Sequence, residues 1–136
     1  MKKIKILRII ARLNIGGPAI HTIILTDGLD KSRFESLLIC GSTGKDEGDM
    51  FYYAITKNIK PIFIPELKRE LRFFSDMVAF KKIYKIIKIE QPDIIHTHTA
   101  KAGTLGRLAG ILYNFMNRRK EKQIKLIHTF HGHIFE

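Results

Sequence analysis

The alternation of two kinds of segment is the sequence feature that most constrains the fold. Short runs rich in isoleucine and leucine recur along the chain, and longer segments with helical periodicity separate them. The apolar runs cover residues 4–10, 34–40, 60–64, 94–97 and 125–129. Because these runs are apolar without regular alternation, they predict strands that are buried on both faces. Buried strands that alternate with helices are typical of a parallel sheet with helices on both of its faces.

The predicted helices cover residues 18–29, 49–57, 75–90 and 101–116. Pro18 suits the first turn of the first helix, where its missing N–H is no loss. In the third helix Ser75 is a candidate N-cap, and Pro92 keeps this helix from continuing. The apolar face of the third helix follows from steps of three and four residues. It consists of Met77, Phe80, Tyr84 and Ile87.

Together these elements predict one α/β domain over residues 1–136. We expect an open, mostly parallel, doubly wound (Rossmann-like) sheet of about five strands with helices on both faces. A chain of 136 residues can bury roughly two-thirds of the surface that its unfolded form exposes. No internal repeat, low-complexity tract or linker divides the sequence.

The chain is strongly basic, with 24 Lys and Arg against 13 Asp and Glu and a formal net charge of +11. Such an excess favours an anionic partner, which could be a nucleic acid, a phospholipid surface or a phosphorylated metabolite. A solubilising surface explains the charge equally well. The basic residues are spread over many elements, and no helix-turn-helix, zinc-finger or RNA-binding signature is present. We therefore expect no nucleic-acid partner, and a noncatalytic nucleic-acid module is the less favoured alternative.

The sequence predicts a cytoplasmic protein. Its uncharged apolar runs are far shorter than the roughly 20 residues that a membrane span requires. Arg8 and Arg12 interrupt the segment that follows the basic amino terminus, so no secretory signal is predicted. The single cysteine, Cys40, cannot form an internal disulfide, which agrees with a reducing compartment.

All six histidines lie at, or just beyond, the carboxyl ends of predicted strands. His21 follows the first strand, His96 and His98 belong to the fourth, and His128, His131 and His133 to the fifth. In an open doubly wound sheet, ligands bind beyond these ends, near the point where the strand order reverses. Imidazoles can transfer protons, donate hydrogen bonds or bind metal, so their gathering on one rim indicates a functional site. For His128, which lies inside a strand, a structural hydrogen bond is an equally good explanation.

A metal site is one interpretation of the histidine spacing. His96 and His98 point to one strand face, and His131 and His133 have the same spacing. However, the chain has one cysteine and no carboxylate at a useful spacing to complete the ligand sets of zinc or iron sites. We therefore expect no metal and no other cofactor.

A glycine pair, Gly16 and Gly17, comes shortly after Asn14 and opens the first helix. Its backbone amides could approach a diphosphate, aided by the positive end of the helix dipole. The pair is neither a dinucleotide fingerprint nor a P-loop, and a simple turn explains it equally well.

Three further glycines, Gly103, Gly106 and Gly110, recur at steps of three and four in the fourth helix. Each costs the helix roughly 1 kcal/mol relative to alanine, so we expect this helix to pack closely on the sheet. Lys101 and Arg107 in the same segment are candidates for contacts with anionic groups. A solvated helix face explains Arg107 equally well.

Three segments together resemble the amino-terminal domain of the family-4 glycosyltransferases, which are retaining enzymes of the GT-B architecture. The segments are GGPAIH at residues 16–21, PDIIHTHTAKAGTLGRLA at 92–109 and HTFHGH at 128–133. The resemblance implies half of a GT-B enzyme, in which a second Rossmann-like domain holds most of a nucleotide sugar, often a UDP-sugar. It implies hexosyl transfer from that donor to a cell-envelope or polysaccharide acceptor.

The resemblance also implies roles for individual residues. Gly16 and Gly17 would approach the donor phosphates, and His131, as the catalytic residue, would contact the transferred sugar near its reacting carbon. The residues expected to line the acceptor side are His21, His98 and Lys101, and Asn14, Arg107 and His133 are further candidates.

The chain stops at Glu136, and the Glu-rich donor motif expected in a second domain is missing. We therefore expect an apparently truncated transferase that is inactive alone, because catalysis needs groups preorganised on both sides of the transition state. A GT-B sugar-nucleotide epimerase shares the fold and the donor. The choice of a transferase therefore rests on the motif resemblance.

The segment at residues 66–74 has the composition of a surface that rests on anionic lipid. It combines Lys68, Arg69 and Arg72 with Leu71, Phe73 and Phe74. Peripheral contact with the inner face of the membrane would suit a polyprenyl-linked acceptor. An ordinary flexible loop explains the segment equally well.

Overall fold

The computed structural model describes residues 1–132. The strands in this range are β1 (Ile4–Arg12), β2 (Phe34–Gly41), β3 (Ile62–Phe63), β4 (Ile94–His98) and β5 (Lys125–Thr129). The helices are α1 (Gly17–Gly28), α2 (Phe51–Thr56), α3 (Phe73–Glu90) and α4 (Ala100–Met116). Every predicted element is present, although β3 and α2 are shorter than predicted. Over the same residues, no helix combines the length and apolar character needed to cross a membrane.

The strands form one sheet in the order β3-β2-β1-β4-β5, and every neighbouring pair is parallel. From β1 the chain moves outward to β3, returns to the other side of β1 as β4, and continues to β5. The predicted open, doubly wound α/β fold is confirmed. The strand order reverses between β1 and β4, so the carboxyl ends of these two strands flank the crevice in which such sheets hold ligands.

Helices cover both faces of the sheet, and successive residues of β1 contribute to opposite layers. Leu7 and Ile9 belong to the layer that includes residues of α3 and α4. Ile10 belongs to the other layer, with residues of α1 and α2. All three side chains are fully buried, which explains why β1 carries apolar residues on both of its faces.

Helix α4 lies close to the sheet because of its glycines. A Cβ atom added to Gly106 would lie 2.7 Å from Thr97 Cγ2 and 2.9 Å from Ile9 Cδ1. Added Cβ atoms on Gly103 and Gly110 would also come within 3 Å of sheet side chains. The expected close packing of this helix is confirmed, and it offsets the helix-propensity cost of the three glycines.

The start and the buried face of α3 differ from the prediction. The helix begins at Phe73, not at Ser75, because the Asp76 carboxylate accepts a hydrogen bond of 3.2 Å from the Arg72 amide and so extends the first turn. Met77 is 42% exposed in this early part of the helix. The fully buried residues are Ala79, Ile83 and Ile87. Phe80 and Tyr84 pack at the margin of the core.

Candidate active site at the strand ends

Three imidazoles meet at the carboxyl edge of the sheet. His21 comes from α1, His98 ends β4, and His131 follows β5. The ring centroid of His131 lies 5.1 Å from that of His21 and 5.1 Å from that of His98, and the centroids of His21 and His98 are 6.0 Å apart. The predicted convergence of the tips of strands one, four and five is therefore present in the structure. We call this group the histidine trio.

The buried member of the trio orients a more exposed one. His98 is fully buried, and its Nδ1 atom lies 2.8 Å from Nε2 of His131. Burial, and secondarily the neighbouring His96 and His131 rings, lower the pKa of His98 to about 3. Burial and His21 also lower the pKa of His131. Two neutral rings are joined by one hydrogen bond, so the tautomer of one sets the tautomer of the other.

Two other histidines have partners of their own. His96 Nε2 lies 2.7 Å from the Thr129 hydroxyl, and burial lowers the pKa of His96 to about 4. His128 Nδ1 lies 2.8 Å from the Thr97 hydroxyl, and its ring packs against Gly103 of α4. A structural role therefore accounts for His128. His133 lies outside the described residues.

The backbone between β4 and α4 is strained at Thr99. This residue has φ 69°, a left-handed conformation that is uncommon for residues other than glycine. Its hydroxyl is buried without a hydrogen-bond partner among residues 1–132. Strained residues cluster at functional sites, and this one directly follows His98. The sequence carries no signal for the strain, because threonine also fits ordinary helix starts.

The glycine pair leaves open space at the start of α1. Gly16 is extended, with φ 167° and ψ 171°, a conformation that any residue can adopt. A Cβ atom on Gly17 would meet nothing within 4 Å, and one on Gly16 would meet only ordinary contacts at 3.9 Å. Neither the backbone conformation nor the packing of the chain itself therefore requires glycine here. The open surface in front of the two residues permits close approach of a ligand.

The remaining predicted residues are not part of the trio. The buried ammonium of Lys101 lies 2.6 Å from Asp76 Oδ1 and donates to the Glu70 carbonyl. Arg107 Nε donates to a carbonyl one turn earlier in α4. Asn14 forms an isolated bridge with Asp49. The Lys101 contacts link α4 to α3 and to the segment before it, whereas the Arg107 contact lies within α4. The binding roles of the three residues stay predictions.

A basic cavity of about 510 Å³ opens on the same edge of the sheet, on the side of α3 and α4. Thr99 lines it and so connects it with the trio. Its charged lining residues are Arg12, Arg69, Asp76 and Lys101, and Leu71 is among its apolar ones. Sequence reasoning did not single out Arg12 or Asp76 for this site, since neither belongs to a motif.

Arg8 is a further residue that sequence reasoning did not assign to the site. It is 3% exposed and pairs in register with His96 across β1 and β4. Its Nη1 atom donates to the Ser36 hydroxyl at 3.1 Å, while its Nε has no partner among residues 1–132. Burial lowers the pKa of its guanidinium to about 10. The available signal was an arginine in the middle of a strand, with the apolar residues Leu7 and Ile9 on either side of it.

The chain is an α/β domain with a doubly wound sheet, and the histidine trio lies at the switch point, where sheets of this kind bind their ligands. Comparison with known protein families shows to which family the domain belongs. Residues 15–136 match the model of Glycosyltransferase Family 4. The chain belongs to this family, and the resemblance drawn from the three segments is confirmed.

A sequence relative agrees with this assignment. The chain is 33% identical over 108 residues to the UDP-Gal:alpha-D-GlcNAc-diphosphoundecaprenol alpha-1,3-galactosyltransferase of Escherichia coli. The match covers 79% of this chain and 24% of that protein, so the chain spans about a quarter of this relative's length.

Solved structures with a similar fold include two sugar-nucleotide epimerases. A structure from Listeria monocytogenes, described as a UDP-N-acetylglucosamine 2-epimerase, has a TM-score of 0.65 and 23% identity, over 95% of this chain and 32% of that one. The UDP-GlcNAc 2-epimerase of Neisseria meningitidis, bound to UDP-GlcNAc, has a TM-score of 0.56 and 12% identity, over 92% and 31%. At these identities the likeness shows the fold alone.

Proposed function

We propose that this domain forms the acceptor side of a retaining glycosyltransferase that moves a hexose from a UDP-sugar to a polyprenyl-linked acceptor. The observation that carries the proposal is the histidine trio beside the open glycine pair at the switch point. Donor and acceptor must meet within one crevice for transfer to occur. The carboxyl ends of β1, β4 and β5 supply groups for both.

The donor diphosphate is proposed to approach Gly16 and Gly17. These residues lie at the amino end of α1, where backbone N–H groups and the helix dipole favour an anion. The absence of side chains lets a phosphate approach the backbone closely. The Cβ positions of both glycines are free of close contacts, which is the space that such an approach requires.

His131 is proposed to contact the transferred sugar near its reacting carbon. Its ring is only partly buried, and the hydrogen bond to the buried His98 fixes its orientation. The lowered pKa of His131 favours the neutral ring, which offers one N–H donor and one lone pair to hydroxyl groups. His98 thus acts as a positioning residue, and the exposed His21 lies on the side assigned to the acceptor.

The basic cavity is proposed to receive the acceptor. The name of the Escherichia coli relative specifies a diphosphoundecaprenol-linked sugar, which joins an anionic diphosphate to a long apolar chain. Arg69 offers a cationic group for such a diphosphate, and Leu71 is an apolar residue that lines the same cavity. Arg12 also lines the cavity, but its guanidinium pairs with Glu47 and so offers less free charge. Lys101 contributes less free charge because Asp76 pairs with it.

Peripheral contact with an anionic membrane is proposed to bring the domain to this acceptor. Leu71, Phe73 and Phe74 are 86%, 72% and 83% exposed. They lie beside Arg69 and Arg72, which also line neighbouring cavities at this edge of the sheet. Apolar side chains that insert among headgroups, flanked by cations, are typical of an interfacial surface. We place the contact at the cytoplasmic face of the membrane.

The test is a transfer assay with a two-domain protein that carries this chain as its first domain. A panel of UDP-sugars is supplied with a short-chain polyprenyl-diphosphate sugar, and product is followed by mass spectrometry. We expect His131→Ala to lower kcat by about 100-fold, in the range found when one transition-state contact is removed. The chain alone is expected to give no turnover. Interconversion of UDP-sugars without acceptor, or full activity of His131→Ala, would contradict the proposal.

A further inference from the structure

The histidine trio also has the geometry of a metal centre. One ring nitrogen from each of His21, His98 and His131 can be chosen so that all lie within 4.8 Å of one another. The three rings belong to α1, β4 and the segment after β5, so the fold itself brings them together. The spacing in the sequence had suggested other pairs of metal ligands, namely His96 with His98 and His131 with His133.

The spacing of the rings matches what a tetrahedral ion requires. Zn–N bonds of about 2.0–2.1 Å place the centroids of two imidazoles on one zinc ion about 5 Å apart. The observed separations are 5.1 Å for His98 and His131, and 5.1 Å for His21 and His131. The separation of 6.0 Å between His21 and His98 needs a small shift. His21 is exposed on α1, so its ring has the freedom to make that shift.

We propose that His21, His98 and His131 bind one divalent transition-metal ion of the zinc type. Imidazole nitrogen suits zinc, cobalt, nickel and copper, whereas magnesium and calcium require oxygen ligands. Three protein ligands leave a fourth position open to water or to a substrate oxygen. When the ion enters, two metal bonds replace the 2.8 Å hydrogen bond between His98 Nδ1 and His131 Nε2. The proton of that hydrogen bond moves to the other nitrogen of the donor ring, which stays neutral.

This site lies outside the proposed transfer reaction, which uses no metal. The ion binds the His131 ring, which is the same ring that we assign to the contact with the transferred sugar. Binding of the ion and binding of the sugar are therefore mutually exclusive at this ring. Micromolar zinc is expected to inhibit a transferase built on this domain, and a chelator is expected to restore its activity.

The test measures metal binding directly, without donor or acceptor. The tag-free chain of 136 residues is titrated with Co²⁺, whose visible absorption reports tetrahedral coordination, and with Zn²⁺ by calorimetry. One ion per chain is expected. His21→Ala, a change at the exposed helix surface, and His131→Ala are each expected to weaken binding by more than about tenfold.

His96→Gln is the matched control, since its ring lies beside the trio and bonds to Thr129 instead. This variant is expected to retain the wild-type affinity. No stoichiometric binding by the folded wild-type chain, or equal losses in His21→Ala and His96→Gln, would overturn the site. Loss on His133→Ala with binding intact in His21→Ala would also overturn it. Because no sugar is present, failure of this site leaves the transfer assay as a separate test.

Discussion

The Nδ1 atom of His98 lies 2.8 Å from the Nε2 atom of His131, so a ring buried at the end of β4 orients the ring that follows β5. In the register of the sheet, His98 pairs with Thr129, two residues before His131. Parallel pairing of β4 and β5 thus brings the two histidines to the same edge. A change in that register would separate them.

Protonation of His98 is expected to destabilise the fold in mild acid. Its pKa is about 3 in the folded chain, mainly because of burial, and about 6.5 when unfolded. The unfolded chain therefore binds the proton first. The contribution of the neutral His98 ring to the free energy of unfolding is fully present above pH 6.5. It falls as the pH drops toward 3, by up to about 1.4 kcal/mol per pH unit.

The measurement is urea denaturation at pH 7.0, 6.0 and 5.0, with NMR titration of the ring protons. His98→Gln is the comparison, and its unfolding free energy is expected to depend less steeply on pH. A titration midpoint near 6.5 for His98 in the folded chain would contradict this account.

Gly106→Ala is expected to destabilise the protein even though alanine favours helices. The added methyl group would overlap Thr97 and Ile9, and overpacking a core costs about 1–3 kcal/mol. Gly28→Ala in α1 is the matched control, since its Cβ would meet nothing within 4 Å. It should be neutral or stabilising. Equal midpoints of thermal unfolding for the two variants would show that α4 does not need to approach the sheet so closely.

The Lys101–Asp76 pair is expected to stabilise the contact between α4 and α3. The two side chains are only 6% and 18% exposed, so removing one charge leaves the other buried. Lys101→Met is expected to cost about 3–5 kcal/mol. The double variant Lys101→Met/Asp76→Leu should recover much of that loss in chemical denaturation. If Lys101→Met keeps wild-type stability, the lysine is instead free for the acceptor role that the sequence predicted.

Binding to lipid is expected to depend on anionic headgroups and on the apolar tip of residues 71–74. The chain should sediment with vesicles that contain phosphatidylglycerol and remain in solution with neutral vesicles. Replacing Leu71, Phe73 and Phe74 by serine should abolish sedimentation. Phe115→Ser, at a residue of α4 that is 62% exposed, is the control and should keep it. An equal loss of sedimentation in both variants would show that the membrane contact does not lie at residues 71–74.

The positions of the strands and helices, and the edge of the sheet that holds the site, were predictable because they follow from local patterns and from the general rule for doubly wound sheets. Continuous apolar runs, the glycine pair and Pro18 determine where strands end and helices begin. The choice of partners among the histidines was not predictable from spacing. His96 and His98 share a strand face, yet one bonds to Thr129 and the other to His131. Such pairs depend on the register between strands, which the sequence of one strand does not contain.

The start of α3 shows a second limit of sequence reasoning. Ser75 has the side chain of a typical N-cap. However, the Asp76 carboxylate accepts a hydrogen bond from the Arg72 amide, so the helix begins two residues earlier, at Phe73. Competing side chains within one turn decide such boundaries. Likewise, the strain at Thr99 arises from the connection between β4 and α4, and no residue type marks it.

The most direct test of the central claim is to locate substrate on the folded chain by NMR. Amide shifts are followed during titration with a short-chain polyprenyl-diphosphate sugar and, separately, with a UDP-sugar. The account predicts weak binding, with shifts at Gly16, Gly17, Thr99 and His131 and little change at Gly28 or Lys122, which lie away from the strand tips. Shifts confined to the opposite edge of the sheet, or none at saturating ligand, would contradict the assignment of the strand ends as the glycosyl-transfer site.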